Sequence, residues 1–128
     1  AGHDLIGFPR GETPLGPVWW FSRAEKSARI AFRSSSVSAR AEAARRGLGL
    51  AALPCMVGDL QEGLERVFGP DTLGSLEMWL MTRNDLAQLA HVRAVMEFVV
   101  DAVKRHRSRI EGRDHEVRDL MPPLRPNH

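Results

Sequence analysis

Residues 43–54 read AARRGLGLAALP, and the pattern of this segment is the strongest indication of the fold of the chain. The alanines at its start favour a helix whose small side chains let it lie close to a sheet. Gly47 stands where helices commonly end in the left-handed conformation, so its φ is predicted to be positive. Residues 48–53 are apolar apart from Gly49, which is typical of a short interior strand of a parallel sheet. Pro54 cannot donate to a β-ladder and is predicted to end this strand.

The residues before this stretch complete a strand-helix-strand unit. Residues 28–32 are predicted to form a strand, and Ser34, Ser35 and Ser36 follow it where the helix would begin. Such a unit is expected to have a right-handed crossover. Residues 4–8 form another short apolar run, which Pro9 ends. The pattern therefore predicts an α/β fold with a mixed, mostly parallel sheet flanked by helices.

The remaining patterns are shorter or less regular, apart from one long helix. The predicted elements are a short helix or turn over residues 18–21, a short helix over residues 55–60, an edge strand over residues 64–68, a turn over residues 69–71 and a strand over residues 76–82.

From Ala87 to Arg105, apolar residues recur every three or four positions, which predicts an amphipathic helix that Asn84 or Asp85 could cap. Its apolar stripe consists of Leu89, Val92, Met96, Val99 and Val103. The chain would then divide into a subdomain over residues 1–86, a C-terminal helix over residues 87–107 and a polar, flexible tail over residues 108–128.

Length and composition point to one modest globular domain rather than two. The 128 residues include 43% apolar and 27% charged residues, and the net charge of +2 is too small to indicate nucleic-acid binding by the whole domain. Cys55 is the only cysteine, so an internal disulfide is impossible, and this fits a reducing compartment such as the cytoplasm. No apolar run approaches the length of a membrane span.

The cluster of Ser34, Ser35 and Ser36 allows two interpretations. Serines at the start of a helix commonly cap it, and capping is the simpler explanation. The same hydroxyl groups, together with unpaired backbone N–H groups and the helix dipole, would also favour a carboxylate or phosphate. Both interpretations remain open from the residues alone.

Other chemistries find little support in the sequence. The five histidines show no metal-ligand spacing, and the glycines at 47 and 49 lack the third glycine of a dinucleotide-binding loop. Cys55 has no second cysteine beside it and is interpreted as a buried structural thiol. We therefore predict no metal, no cofactor and no catalytic residue.

Three patches of the chain, in order, resemble the second half of the effector-binding domain of LysR-type transcriptional regulators. The patches are residues 3–8, residues 34–36 with 43–54, and residues 78–86 with 92–98. The resemblance implies one subdomain of a type II periplasmic-binding-protein-like fold plus a C-terminal helix. It also implies that an effector cleft is faced by the loop after the first strand and by the start of the helix.

These implications define the candidate site. The residues expected to bind the effector are Arg10, Gly11, Glu12, Arg33, Ser34, Ser35 and Ser36. All follow the carboxyl ends of predicted strands, where open α/β sheets bind ligands. The two arginines would supply charge-assisted hydrogen bonds to an anionic effector.

The resemblance further implies a regulatory function. In this family an effector binds between two subdomains and biases the geometry of a DNA-bound oligomer. We expect a homodimer, in which residues 87–105 could be exchanged between copies, with DNA contacted only through a helix-turn-helix domain that this sequence does not contain. The alternatives are a subdomain of a periplasmic-type solute-binding protein and a small α/β enzyme with a serine of residues 34–36 or Cys55 as nucleophile; the enzyme is disfavoured because no general base can be identified.

Overall fold

A three-stranded parallel sheet forms the centre of the molecule. The computed structural model describes residues 2–11 and 19–113. Its strands are β1 (Leu5–Gly7), β2 (Ile30–Arg33) and β3 (Leu50–Ala51), in the order β2-β1-β3. Leu5 pairs with Ile30 on one side and with Leu50 on the other. The segment from β2 to β3 therefore crosses over β1. The predicted strand-helix-strand unit is present as β2, the helix over residues 37–45 and β3.

Six helices accompany the sheet in the described residues. They are α1 (Trp19–Ala24), α2 (Val37–Arg45), α3 (Cys55–Gly58), α4 (Pro70–Leu73), α5 (Ala90–Arg105) and α6 (Arg107–Ile110). The predicted short helices near residues 18–21 and 55–60 are thus present as α1 and α3. None of these helices is both long and apolar enough to cross a membrane.

The core lies between β1 and the alanine-rich face of α2. Ile6 in the middle strand is completely buried, and Leu5 and Phe21 are nearly so. Ala41 and Ala43 are buried on α2, where their small side chains let the helix approach the sheet. The role predicted for the alanines is confirmed.

The turn between α2 and β3 has the predicted glycine geometry. Gly47 has a φ of 77°, and its N–H donates to the Ala44 carbonyl at 2.8 Å. Gly49 has a φ of 154°, and a Cβ atom there would lie 2.4 Å from the Asp4 carbonyl oxygen. The first glycine ends the helix, and the second lets the chain approach β1 closely enough for Leu50 N–H to bond to Asp4.

Three strand predictions need correction. β3 comprises two residues and lies at the edge of the sheet instead of its interior, so Leu50 is partly exposed. Residues 64–68 form no strand, because Arg66 turns inward and pairs with Asp59 and so breaks the expected alternation. Residues 76–82 form no strand and pair with no other segment of the described residues, although β2 and β3 each leave one edge of the sheet free.

Two predicted boundaries also shift. The turn expected at residues 69–71 is the start of α4, with Gly69 as N-cap and Pro70 in the first turn. Helix α5 begins at Ala90, three residues later than predicted, and Leu89 is its N-cap without a side-chain bond. Neither Asn84 nor Asp85 caps it, because both lie at least five residues before Ala90.

The C-terminal part of the described chain packs against α3. Helix α6 contacts α3, and the Arg66 Nη1 donates to the Gly112 carbonyl at 2.7 Å. Residues 107–112 therefore have an ordered place in the fold, although sequence polarity predicts a tail from residue 108. Residues 114–128 lie outside the described residues, so the division of the chain into three regions remains a prediction.

Candidate functional site

The carboxyl ends of β1 and β2 lie side by side and bring two loops to one edge of the sheet. Gly7 pairs with Arg33, and the Ser34 N–H donates to the Gly7 carbonyl at 3.0 Å. The chain beyond β1 continues into Arg10 and Gly11, and the chain beyond β2 continues into the serine loop, which comprises Ser34, Ser35 and Ser36. This edge is where open α/β sheets bind ligands.

The serine loop caps α2 through its own hydroxyl groups. Ser36 is the N-cap, and its Oγ accepts from the Ala39 N–H at 3.2 Å. The Ser36 N–H in turn donates to the Ser34 Oγ at 3.1 Å, and the Ser36 and Ser38 hydroxyls lie 3.0 Å apart. The capping interpretation of the sequence is confirmed.

Capping leaves several donors at this helix start unused. The backbone N–H groups of Val37 and Ser38 donate to no acceptor among the described residues, and neither does the exposed Ser35 hydroxyl. These donors lie at the N-terminus of a nine-residue helix, whose dipole favours negative charge. Capping and anion binding are therefore compatible in the same loop.

Arg33 is engaged in bonds within the protein. Its Nη1 donates to the Phe8 carbonyl at 2.9 Å, and its Nη2 pairs with the Glu25 carboxylate. The charge of Arg33 is thus compensated by Glu25, and its side chain ties the end of β2 to the end of β1. A ligand would have to compete with Glu25 for this guanidinium.

Two of the three predicted site residues after β1, Arg10 and Gly11, are among the described residues. Arg10 is exposed, and Gly11 has a φ of 83°, as expected of a turn after the strand. Arg10 makes no hydrogen bond or ion pair within the described residues. Glu12 lies outside the described residues.

Arg40, which the sequence did not single out, lies against the serine loop. It is only 4% exposed, and its Nη1 donates to the carbonyls of Ser34 at 2.8 Å and Ser35 at 3.0 Å. Its guanidinium carbon lies 4.4 Å from the centre of the Phe8 ring. Burial lowers the pKa of Arg40. One signal could have identified it, because an arginine next to Ala41 interrupts the small-residue face of the helix.

An open groove of about 570 Å³ lies beside the serine loop, between α2 and α3. Its lining residues are Val37, Ser38, Ala41, Glu42, Val57 and Gln61. The Glu42 carboxylate accepts from Arg45 at 2.8 Å and from Arg46 at 2.6 Å, which lowers its pKa to about 2. Because two arginines balance this carboxylate, the groove does not present an uncompensated negative charge to a ligand.

The part of the chain that the structure describes contains neither a metal-binding cluster nor an activated nucleophile. No group of three or more metal-ligating side chains occurs there. The Ser34 hydroxyl accepts from the Ser36 N–H, and the Ser36 hydroxyl accepts from the Ala39 N–H. Cys55 is half-buried beside Gly112.

Comparison with known proteins relates the chain to one protein family. The family model described as the LysR substrate binding domain matches residues 1–104, which is most of the chain. Searches among curated proteins and among solved structures found no significant match. Domains of this family are regulatory modules that bind an effector, and their fold is of the type II periplasmic-binding-protein class. The chain belongs to the LysR substrate-binding domain family.

Proposed function

We propose that this chain senses a small anionic effector for a LysR-type transcriptional regulator in the cytoplasm. The effector would bind at the sheet edge formed by Arg10, Gly11 and the serine loop, between this subdomain and another. Its binding would bias the geometry of a DNA-bound oligomer, with DNA contacted through a helix-turn-helix domain. The family match favours this function over that of a periplasmic-type solute-binding protein.

One observation carries the proposal that the effector is an anion. The N–H groups of Val37 and Ser38 remain unbonded at the start of α2, since the Ser36 side chain that caps this helix accepts from Ala39 N–H instead. Backbone donors at a helix N-terminus bind carboxylates and phosphates because the helix dipole adds to the hydrogen bonds. Arg10 follows β1 at the same edge and has no acidic partner among the described residues.

The test removes one backbone donor without removing a side chain that folds the loop. Val37 is the first residue of α2, where proline is tolerated, and Ser36 before it has φ −73° and ψ 121°, which suit a residue that precedes proline. We expect Val37→Pro to weaken the binding of succinate by about tenfold relative to Val37→Ala, which keeps the N–H group. Amide chemical shifts followed during titration would give both affinities.

Succinamide, the neutral analogue of succinate, controls for shape. We expect it to leave the amide signals of residues 35–38 unchanged at concentrations where succinate shifts them. Equal binding of the two compounds, or equal affinity of the proline and alanine variants for succinate, would contradict the anion site.

A further inference from the structure

Arg40 carries a buried positive charge that has no carboxylate partner in the described residues. The side chain is 4% exposed, and no ion pair includes it. Its Nε is also buried and has no hydrogen-bond partner there. A charged group in such a place is costly unless other polar groups compensate it. In this protein the compensation comes from two backbone carbonyls and one aromatic ring.

The two carbonyls that compensate Arg40 belong to the serine loop. The Arg40 Nη1 donates to the Ser34 carbonyl at 2.8 Å and to the Ser35 carbonyl at 3.0 Å. Both carbonyl oxygens are therefore engaged by the guanidinium, which offsets their partial negative charge next to the helix start. This matters because carbonyl oxygens that pointed toward an anion would repel it.

The ring that stacks on Arg40 connects this loop to β1. Phe8 lies immediately beyond the strand, and its ring contacts Phe21 edge-on with centroids 5.4 Å apart. The Phe8 carbonyl also accepts from Arg33 at 2.9 Å. Arg40 thus touches the residues after both strands whose carboxyl ends form the candidate site.

We propose that Arg40 is the positioning residue of the effector site. It holds the serine loop so that the N–H groups of Val37 and Ser38 remain available, and its buried charge makes the site favour an anion. This inference rests on the proposed function. It adds that one buried residue orients the serine loop and supplies part of the positive charge of the site. Arg40 acts through the loop and not by contact with the effector.

The experiment compares three variants of the chain. Arg40→Met removes the charge and keeps an apolar stem, Arg40→Lys keeps the charge and one donor group, and Arg93→Met removes an exposed charge on α5 as a matched control. Backbone ¹⁵N relaxation of the free proteins reports the order of residues 34–36. Titration with succinate, and with succinamide as the neutral control, reports affinity at residues 35–38.

We expect Arg40→Met to lower the order parameters of residues 34–36 and to weaken succinate binding by about tenfold. Arg40→Lys should recover at least a third of the lost affinity, and Arg93→Met should bind succinate like the wild type. A purely structural role would not produce this recovery by charge. If Arg40→Met proves poorly folded, Arg40→Lys alone still tests the inference. It would be contradicted if Arg40→Lys lost as much affinity for succinate as Val37→Pro while the order of residues 34–36 stayed unchanged.

The outcomes separate this inference from the proposed function. Wild-type affinity for succinate in Arg40→Met, with Val37→Pro still defective, would overturn the role of Arg40 and leave the anion site intact. No succinate binding by the wild type would overturn the anion site and the role of Arg40 together. Unchanged order of residues 34–36 in Arg40→Met would overturn the positioning role whatever the ligand result.

Discussion

At the scale of single residues, Gly47 and Gly49 serve the same turn for different physical reasons. Gly47 has a positive φ, but a Cβ atom there would meet no other atom within 4 Å. Gly49 has a positive φ, and its Cβ would also overlap the Asp4 carbonyl. An alanine at position 47 therefore meets only backbone strain, whereas one at position 49 must displace a strand.

We expect Gly47→Ala to lower the free energy of unfolding by about 1 kcal/mol, and Gly49→Ala by about 3 kcal/mol. Urea denaturation of the two variants and the wild type measures both changes. Equal destabilisation by the two substitutions would show that the close approach of residue 49 to Asp4 is unimportant.

Glu42 gives a prediction about pH. Hydrogen bonds from Arg45 and Arg46 lower its pKa from the ordinary value of 4.5 to about 2. A carboxyl group whose pKa is lower in the folded state contributes stability above its unfolded pKa, and this contribution is lost as the pH falls toward 2. The unfolding free energy of the wild type should therefore fall more steeply between pH 4.5 and 2 than that of Glu42→Gln.

The control for this experiment is Glu97→Gln, because Glu97 is exposed on α5 and has no ion pair among the described residues. Its pH profile should follow that of the wild type. High salt should reduce the difference due to Glu42, since exposed ion pairs are screened. Identical profiles for Glu42→Gln and the wild type would contradict the prediction.

At the scale of secondary-structure elements, the ion pair between Arg66 and Asp59 fastens the C-terminal end of the described chain to α3. The two side chains are 8% and 16% exposed, and Arg66 also bonds to the Gly112 carbonyl. Removal of one partner from such a buried pair leaves the other charge without compensation.

We expect Arg66→Met to lower the free energy of unfolding by about 3 kcal/mol and to expose the amides of residues 107–112 to hydrogen exchange. The matched control is Arg83→Met. Arg83 pairs with Asp85 at the surface, where the two side chains are 76% and 58% exposed, so the change should be about 1 kcal/mol at most. Equal effects of the two substitutions would argue that burial adds nothing to the Arg66 pair.

At the scale of the whole molecule, the segment of residues 76–81 and helix α5 leave much apolar surface uncovered. Trp79 is 75% exposed, Met81 84% and Phe98 66%. On α5 no residue is fully buried, and Val92 and Val99 of the predicted stripe are half-buried. Burial of each large side chain in an interface would contribute roughly 1.5–3 kcal/mol. LysR-type proteins form oligomers, which suggests a second copy as the partner.

We therefore predict a homodimer at micromolar concentration that buries these side chains, and the two copies could exchange α5. Sedimentation velocity should show a dimer for the wild type and a monomer for Phe98→Glu, because a charge cannot be buried there without a partner. Arg93→Glu, a charge change at an exposed polar position of the same helix, should remain dimeric. A monomeric wild type across the concentration range would refute the proposal.

Local chemistry explains which parts of the fold could be predicted. The serine cap, the alanine face of α2 and the positive φ of Gly47 each depend on neighbours within a few residues, and all three predictions are confirmed. The strand predicted over residues 76–82 would have needed a neighbouring strand from a distant part of the chain. Alternation of side chains within the segment cannot show whether such a neighbour exists. The prediction of a strand over residues 64–68 was wrong because it placed Arg66 on an exposed face, whereas Arg66 forms a buried ion pair with Asp59.

Residue patterns within one unit of the chain were enough to predict the α/β class, the helix between two parallel strands and the serines that begin it. Tertiary packing, in contrast, puts β1 between β2 and β3, pairs Arg33 with Glu25 and buries Arg40 beneath the serine loop. The physical reason is that an arginine carries the same charge wherever it stands in a sequence. Packing alone decides whether that charge faces water, a carboxylate, or the carbonyls and ring that surround Arg40 here.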